Sequence, residues 1–140
     1  VHLNPVVKDV VHKILGEVER VHLLSPLDTK ETHNLMNKCY MIMTDSGGLQ
    51  EEAPHLGKPV LVLRDVTERP EAVKAGTVKL VGTDINKIVN TANKLIGDSV
   101  KYDEMSKAIN PYGDGEASER IVAAILQYFG LKSSEYKEFV

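Results

Sequence analysis

The stretch that decides the fold is residues 41–54, which read Met-Ile-Met-Thr-Asp-Ser-Gly-Gly-Leu-Gln-Glu-Glu-Ala-Pro. A short apolar run ends at Thr44, small hydrogen-bonding residues follow, and a helix is predicted to begin after Gly48. This strand–loop–helix order is typical of α/β folds that hold phosphate, because the N–H groups and the dipole of a helix N-terminus attract an anion. Glycine at two adjacent positions lets the backbone approach a ligand closely. The stretch therefore predicts a phosphate-binding loop.

The rest of the chain alternates short apolar runs with stretches of helical periodicity. Such alternation predicts βαβ units and a Rossmann-like α/β fold, a parallel sheet flanked by helices. The apolar run at 59–63 is typical of a parallel strand that is covered on both faces. The predicted strands are 21–24, 40–43, 59–63 and 78–81, with 1–3 as the end of an earlier strand. The predicted helices start near Asn4, Asp28, Gly48, Asp84, Lys101 and Ala117, and residues 110–115 are a turn-rich loop.

Ligands of parallel α/β sheets bind beyond the carboxyl ends of the strands. Three segments follow predicted strands in this way: Ser25-Pro26, 44–48 and Arg64-Asp65. We therefore expect the binding residues to come from these segments.

The bulk properties favour one globular domain over residues 1–130 with a polar C-terminal tail at 131–140. The chain has 140 residues, 42% of them hydrophobic, and a net charge of −3, which gives no support to a nucleic-acid partner. Cys39 is the single cysteine, so no intramolecular disulfide is expected and a cytoplasmic location is favoured. No apolar run approaches the ~20 residues of a membrane span. Because the chain begins at Val1, we interpret it as a piece of a longer protein.

Common nucleotide and metal motifs are missing from the sequence. It contains neither G-x-x-x-x-G-K-[ST] nor G-x-G-x-x-G, and no paired His and Cys residues with zinc spacing. A phosphate loop outside the common ATP and NAD classes points to another nucleotide class, and sugar nucleotides fit best.

In these segments and several others, the sequence resembles the C-terminal domain of the non-hydrolysing UDP-N-acetylglucosamine 2-epimerases. The similarity runs in order over about residues 1–130, and its most specific blocks are 44–54 and 67–71. The matching blocks are VHLNP at 1–5, SPLD at 25–28, TDSGGLQEEAP at 44–54, LGKPVLVLR at 56–64, TERPE at 67–71, AGT at 75–77, LVG at 80–82 and NPYGDG at 110–115.

The resemblance implies the C-terminal half of a two-domain, GT-B-type enzyme with the nucleotide in the cleft between the domains. It places the diphosphate at Ser46 and Gly47 and the ribose hydroxyls at Glu52, and Gly48 is predicted to belong to the same UDP site. It also implies that Pro26 and Leu27 lie near the uracil and that His2 contacts an activating second UDP-GlcNAc molecule. Arg69 is predicted to belong to the UDP site because segment 67–71 follows a strand end on the ligand side of the sheet.

The family reaction interconverts UDP-GlcNAc and UDP-ManNAc by inversion at C2, through elimination and re-addition of UDP. It needs no organic cofactor and no metal, and its product supplies cell-envelope polysaccharides. The acid–base carboxylates lie mostly in the N-terminal domain, which we expect to be missing here. The resemblance therefore implies a UDP-binding fragment that is inactive alone, from a parent that is typically a homodimer, with no nucleic-acid or membrane partner.

Plainer interpretations exist for each site residue. Residues 46–48 could be an ordinary tight turn, and Glu52 a solvated carboxylate favoured by the helix dipole. Arg69 could make a surface ion pair of little energy, and His2 could be a histidine with a satisfied hydrogen bond. An exposed domain face and an incomplete sheet edge also predict self-association of the fragment.

Four hypotheses remain open about function. The first is the epimerase, in a non-hydrolysing or a hydrolysing form. The second is a serine hydrolase, since 45–48 resembles the nucleophile motif of chymotrypsin-like proteases, although no histidine is well placed for Ser46. The third is a glycosyltransferase that shares the nucleotide half, and the fourth is a binding module without catalysis.

Overall fold

The computed structural model describes residues 1–131, and the chain divides into two compact units between Lys38 and Cys39. Each unit is described by itself. The expected polar tail at 131–140 lies outside the described residues except for Leu131.

The first unit contains two capped helices, α1 (Pro5–Leu15) and α2 (Thr29–Lys38). Asn4 caps α1, because its side-chain oxygen accepts from the Val6 amide at 3.0 Å. A reciprocal pair caps α2: the Glu31 amide donates to Asp28 at 2.7 Å, and the Asp28 amide donates to the Glu31 carboxylate at 3.1 Å. Both helices therefore begin where the sequence predicts.

The two strands expected in the first unit are not formed, so that prediction is wrong. Residues 1–3 and 21–24 carry no strand hydrogen-bonding pattern. The α-amino group of Val1 donates to the Leu24 carbonyl, but one such bond falls short of a ladder. A strand exists only through repeated pairing with a neighbour, so apolar composition alone did not suffice here.

The second unit is built on a parallel sheet with helices between the strands. In chain order its elements are β1 (Ile42–Thr44), α3 (Gly47–His55), β2 (Val60–Val62), α4 (Pro70–Ala75), β3 (Val78–Leu80), α5 (Ile85–Gly97), α6 (Ser99–Ser106) and α7 (Ala117–Tyr128). The strand order is β1-β2-β3, and Met43 and Lys79 both lie opposite Leu61. The parallel α/β architecture is confirmed.

The core explains why β2 reads as an unbroken apolar run. All three of its residues are fully buried, so both faces of the sheet are covered. Leu61 packs with Val81 and with Ala92 and Leu95 of α5. The buried core therefore holds the centre of the sheet, and the loops begin at the ends of its strands.

Two local details differ from the sequence prediction. Tyr40 precedes β1 instead of starting it, because its carbonyl accepts from the Tyr102 hydroxyl at 2.9 Å while its own hydroxyl donates to the Leu95 carbonyl. Helix α4 was not predicted at all. Its signals are Pro70 in the first turn and Gly76 just after the end, at φ +85.

No helix within the described residues is both long enough and apolar enough to cross a membrane.

Candidate functional site

The loop between β1 and α3 is fixed by a side chain at the carboxyl end of the strand. The Thr44 hydroxyl is buried and accepts from the Ser46 amide at 3.0 Å. Ser46 is extended, at φ −77 and ψ 131, and occupies the N-cap position of α3. In the described structure its side chain makes no capping hydrogen bond. Ser46 therefore does not cap the first-turn amides of α3 with its side chain, and amides at a helix start can donate to an acceptor from outside the helix.

The predicted ribose and phosphate residues converge at Gly48. A methyl group at that position would lie 3.6 Å from Glu52 Oε1 and 4.0 Å from Ser46 Oγ. Ser46 and Glu52 are both exposed, and their polar atoms lie near Gly48 at the N-terminus of α3. The structure thus brings Ser46, Gly47, Gly48 and Glu52 together at the N-terminal end of α3, with Glu52 one turn after Gly48.

A second loop, residues 64–69 after β2, lies against this helix start. A methyl group at Gly47 would approach Glu68 Oε1 to 2.4 Å, so the Glu68 carboxylate lies against Gly47. The other oxygen of Glu68 accepts from Arg64 Nη1 at 3.1 Å. The loops that follow β1 and β2 therefore meet at the start of α3.

Arg69, at the end of the 64–69 loop, pairs with Glu51 of α3. Its Nε donates to the Glu51 carboxylate, and the two side chains are 36% and 38% exposed. The hydrogen bond to Glu51, together with the nearby charges of Glu51 and Glu68, raises the pKa of Arg69, so the guanidinium stays charged. Arg69 therefore makes an ion pair, as its plainer interpretation expects. The pair lies beside the predicted UDP-binding loop. The partner of Arg69 is Glu51, which the sequence analysis does not single out.

Gln50 is a site residue that the sequence analysis missed. It is fully buried, its Nε2 donates to the Ser46 carbonyl at 3.2 Å, and its Oε1 accepts from the Thr67 hydroxyl at 2.6 Å. The sequence carries a signal that Gln50 is buried. Gln50 lies three residues before Ala53 and four before Pro54, on the buried face of α3. A polar residue at such an inward position requires hydrogen-bond partners.

Tyr112, in the predicted 110–115 loop, was also missed. Its hydroxyl oxygen is buried, and no described residue makes a well-aligned hydrogen bond to it, although the Ala72 backbone lies near enough to act on its pKa in the lowering direction. Burial raises the pKa of Tyr112, and the carboxylates of Glu71 and Glu51 act in the same direction. The loop therefore places a neutral phenol close to the Arg69–Glu51 pair.

The remaining predicted residues lie in the first unit. His2 is exposed and its Nδ1 accepts from the Asn4 amide at 3.0 Å, which fits the plainer interpretation of a satisfied histidine. Leu27 is 37% exposed, and Pro26 lines a cavity of about 180 Å³. The cavity is also lined by Val1, Leu3, Lys8, His12, Leu23, Leu24 and Ser25. The roles of His2, Pro26 and Leu27 stay predictions.

Metal-binding residues do not cluster in residues 1–131: no group of three or more His, Cys, Asp or Glu side chains could hold an ion there.

A parallel α/β sheet with an open helix N-terminus at the carboxyl end of a strand defines a class of ligand-binding proteins. Comparison with known proteins then gives the family. A family model described as UDP-N-acetylglucosamine 2-epimerase matches residues 1–126, and the chain belongs to this family.

The similar proteins extend well beyond this chain. A Clostridium acetobutylicum protein is 74% identical over 139 residues, which is 99% of this chain and 36% of that protein. A crystal structure of a UDP-N-acetylglucosamine 2-epimerase superposes with a TM-score of 0.93 at 55% identity, covering 100% of this chain and 38% of the other. A UDP complex of Staphylococcus aureus MnaA superposes with a TM-score of 0.87 at 52% identity, covering 99% and 38%. The chain thus spans little more than a third of these proteins.

Proposed function

We propose that this chain binds the UDP moiety of UDP-GlcNAc. In our proposal it is the UDP-binding C-terminal half of an enzyme that interconverts UDP-GlcNAc and UDP-ManNAc. The observation that carries the proposal is the convergence of Ser46, Gly48 and Glu52 at the N-terminus of α3. Family membership and the UDP bound to the S. aureus relative support the choice of ligand.

Each part of UDP has a chemically suitable partner in the proposal. The diphosphate accepts from the amides of Gly47 and Gly48 and from the Ser46 hydroxyl, and the helix dipole favours its charge. The Glu52 carboxylate accepts hydrogen bonds from the ribose hydroxyls, which are donors. Arg69 contributes a positive charge beside the diphosphate.

The proposed reaction uses the same contacts to stabilise a leaving group. When the bond from the sugar C1 to the diphosphate oxygen breaks, the diphosphate gains one negative charge. Donors already aimed at that oxygen stabilise the developing charge without reorganisation. The helix N-terminus and Arg69 would thus promote the elimination of UDP and hold it for re-addition at C1, as a proton returns to C2 from the opposite face. We propose that the groups that move the C2 proton lie in an N-terminal domain, so this chain binds without turnover.

Family membership also ranks the alternatives. It favours the epimerase over the serine hydrolase, whose nucleophile motif was the only support for that reading. A glycosyltransferase would share the nucleotide half, but block 67–71 favours the epimerase. A hydrolysing 2-epimerase stays the alternative within the same chemistry.

The proposal is tested by calorimetric titration of the chain with UDP and UDP-GlcNAc. We expect saturable binding that Ser46→Ala and Glu52→Ala each weaken by about tenfold, which corresponds to one lost charged hydrogen bond. Glu104→Ala is the matched control, because Glu104 pairs with Lys101 on α6, away from the loops that follow β1 and β2. A well-folded chain that binds no UDP, or unchanged affinity in both variants, would reject the proposal.

A further inference from the structure

We infer that Gln50 and Thr67 are positioning residues that hold Ser46 and Arg69 at a fixed separation for the diphosphate. The inference rests on the proposed function, since it assigns a role within the same site. Gln50 and Thr67 are not proposed to contact the ligand. They act through Ser46 and Arg69, which are.

The observation is a continuous chain of hydrogen bonds between the two loops. The Arg69 amide donates to the Thr67 hydroxyl at 3.0 Å, and that hydroxyl donates to Gln50 Oε1 at 2.6 Å. Gln50 Nε2 then donates to the Ser46 carbonyl at 3.2 Å. Three bonds thus join the backbone of Arg69 to the backbone of Ser46.

The chemistry of the end groups fixes the direction of every bond. A backbone carbonyl can only accept, so the Gln50 atom facing Ser46 must be the amide nitrogen. The Gln50 oxygen then faces Thr67 and needs a donor, and the Thr67 hydroxyl proton is committed to it. The lone pair of that hydroxyl is left for the Arg69 amide. One arrangement satisfies all the groups, and its one bond between the loops, from Thr67 to Gln50, holds the two loops against each other.

Burial makes this arrangement costly to break. Gln50 is fully buried and Thr67 is half-buried, so a missing partner would leave a desolvated polar group. The Glu51–Arg69 ion pair joins the same two segments but is more than a third exposed, so water and salt weaken it. The buried chain is therefore the stiffer of the two links.

The test compares Thr67→Val with Thr67→Ser in the full chain. Valine has nearly the shape of threonine without the hydroxyl, whereas serine keeps the hydroxyl. NMR titrations with UDP and with uridine give the ratio of the two affinities, because uridine lacks the diphosphate. We expect Thr67→Val to lower UDP affinity by about fivefold to tenfold while uridine affinity stays within twofold. Thr67→Ser should restore the wild-type ratio.

A general loss of structure would weaken both ligands together, so the ratio separates positioning from folding. Wild-type protein that does not bind UDP would reject the proposed function. Wild-type protein that binds UDP, with an unchanged UDP-to-uridine ratio in Thr67→Val, would reject this inference alone.

Gln50→Glu provides a second test if Thr67→Val does not fold. A protonated glutamic acid can donate to the Ser46 carbonyl and accept from Thr67, whereas the carboxylate cannot donate. Burial raises the pKa of such a carboxyl. UDP affinity relative to wild type at the same pH should therefore fall as the pH rises from about 5 to about 8. A pH-independent ratio would overturn the inference.

Discussion

At the residue scale, a substitution at Gly47 is expected to change UDP binding without lowering stability. Gly47 begins α3 with an ordinary negative φ, so alanine there brings no backbone strain and a slightly better helix propensity. The new methyl group would displace only the flexible end of Glu68. It would also lie where we propose the diphosphate approaches. We therefore expect Gly47→Ala to leave the melting temperature unchanged or slightly raised and to lower UDP affinity by about tenfold or more.

The matched control for this prediction is Gly97→Ala near the end of α5. A methyl group there would meet no atom within 4 Å, so both stability and UDP affinity should be kept. Differential scanning fluorimetry and calorimetric titration measure the two quantities. If Gly47→Ala bound UDP as tightly as wild type, close approach of the ligand to this backbone would be excluded.

The predicted site residues around Gly48 lie close together in sequence, whereas the missed residues depend on contacts between distant segments. Ser46, Gly48 and Glu52 belong to one short segment, so a local strand–loop–helix pattern is enough to place them together. Gln50 bonds to Thr67, which lies 17 residues away in sequence, and Tyr112 comes from a still more distant loop. Their partners depend on the sheet register, which a single sequence does not encode locally.

At the element scale, helix α5 depends on its cap. Asp84 is the N-cap, and its side chain accepts from the Lys87 amide at 2.7 Å. The helix supplies Ala92 and Leu95 to the core, so fraying at its start loosens the packing on Leu61. We expect Asp84→Ala to lower the free energy of unfolding by about 1 kcal/mol.

Urea denaturation followed by circular dichroism measures this loss. Asn86→Ala is the control, because Asn86 is exposed in the first turn of the same helix and alanine is a better helix former. Equal stability of Asp84→Ala and wild type would show that the cap contributes nothing.

The junction between the 110–115 loop and α7 predicts a pH dependence. Arg120 Nη1 donates to Asp114 at 2.8 Å, and this bond, together with the Glu116 amide, lowers the pKa of Asp114 well below its usual range. Because the pKa is lower in the folded state, the stabilising contribution is present above the unfolded pKa near 4. It is lost as the pH falls below that value.

Melting temperatures of wild type and Asp114→Asn, measured from about pH 7 down to about pH 2, check this prediction. Wild type should be more stable at the upper end, and the two curves should converge in acid. Curves that stay parallel over the whole range would contradict the role of this ion pair.

Elements were predictable where their signals were local. The capped helices and the apolar run of β2 were found, because caps and periodicity lie within each segment. Residues 21–24 have the composition of a strand, but composition cannot show whether a pairing neighbour is present. Helix α4 has six residues, too few for a periodic pattern, and its two end signals were not combined.

At the scale of the whole molecule, the exposed apolar side chains of α7 predict self-association. Ile121, Ile125 and Tyr128 follow helical spacing on one face and are 59%, 51% and 85% exposed. An apolar face of this kind is a common site of protein contact. We expect light scattering to show an average mass that rises with protein concentration. The double variant Ile121→Lys with Ile125→Lys should return it toward the monomer mass of 15.5 kDa.

The double variant also shows whether self-association is caused by the apolar face of α7 or by an edge of the sheet. Lysine on α7 leaves the unpaired sides of the strands unchanged, and strand edges can also associate. If the mass still rises with concentration in the variant, the edge is the contact. If the wild-type mass does not depend on concentration, the exposed face of α7 does not drive association. Retention of UDP binding by the variant would show that this face is separate from the proposed site, since α7 contributes no residue to the loops around Gly48.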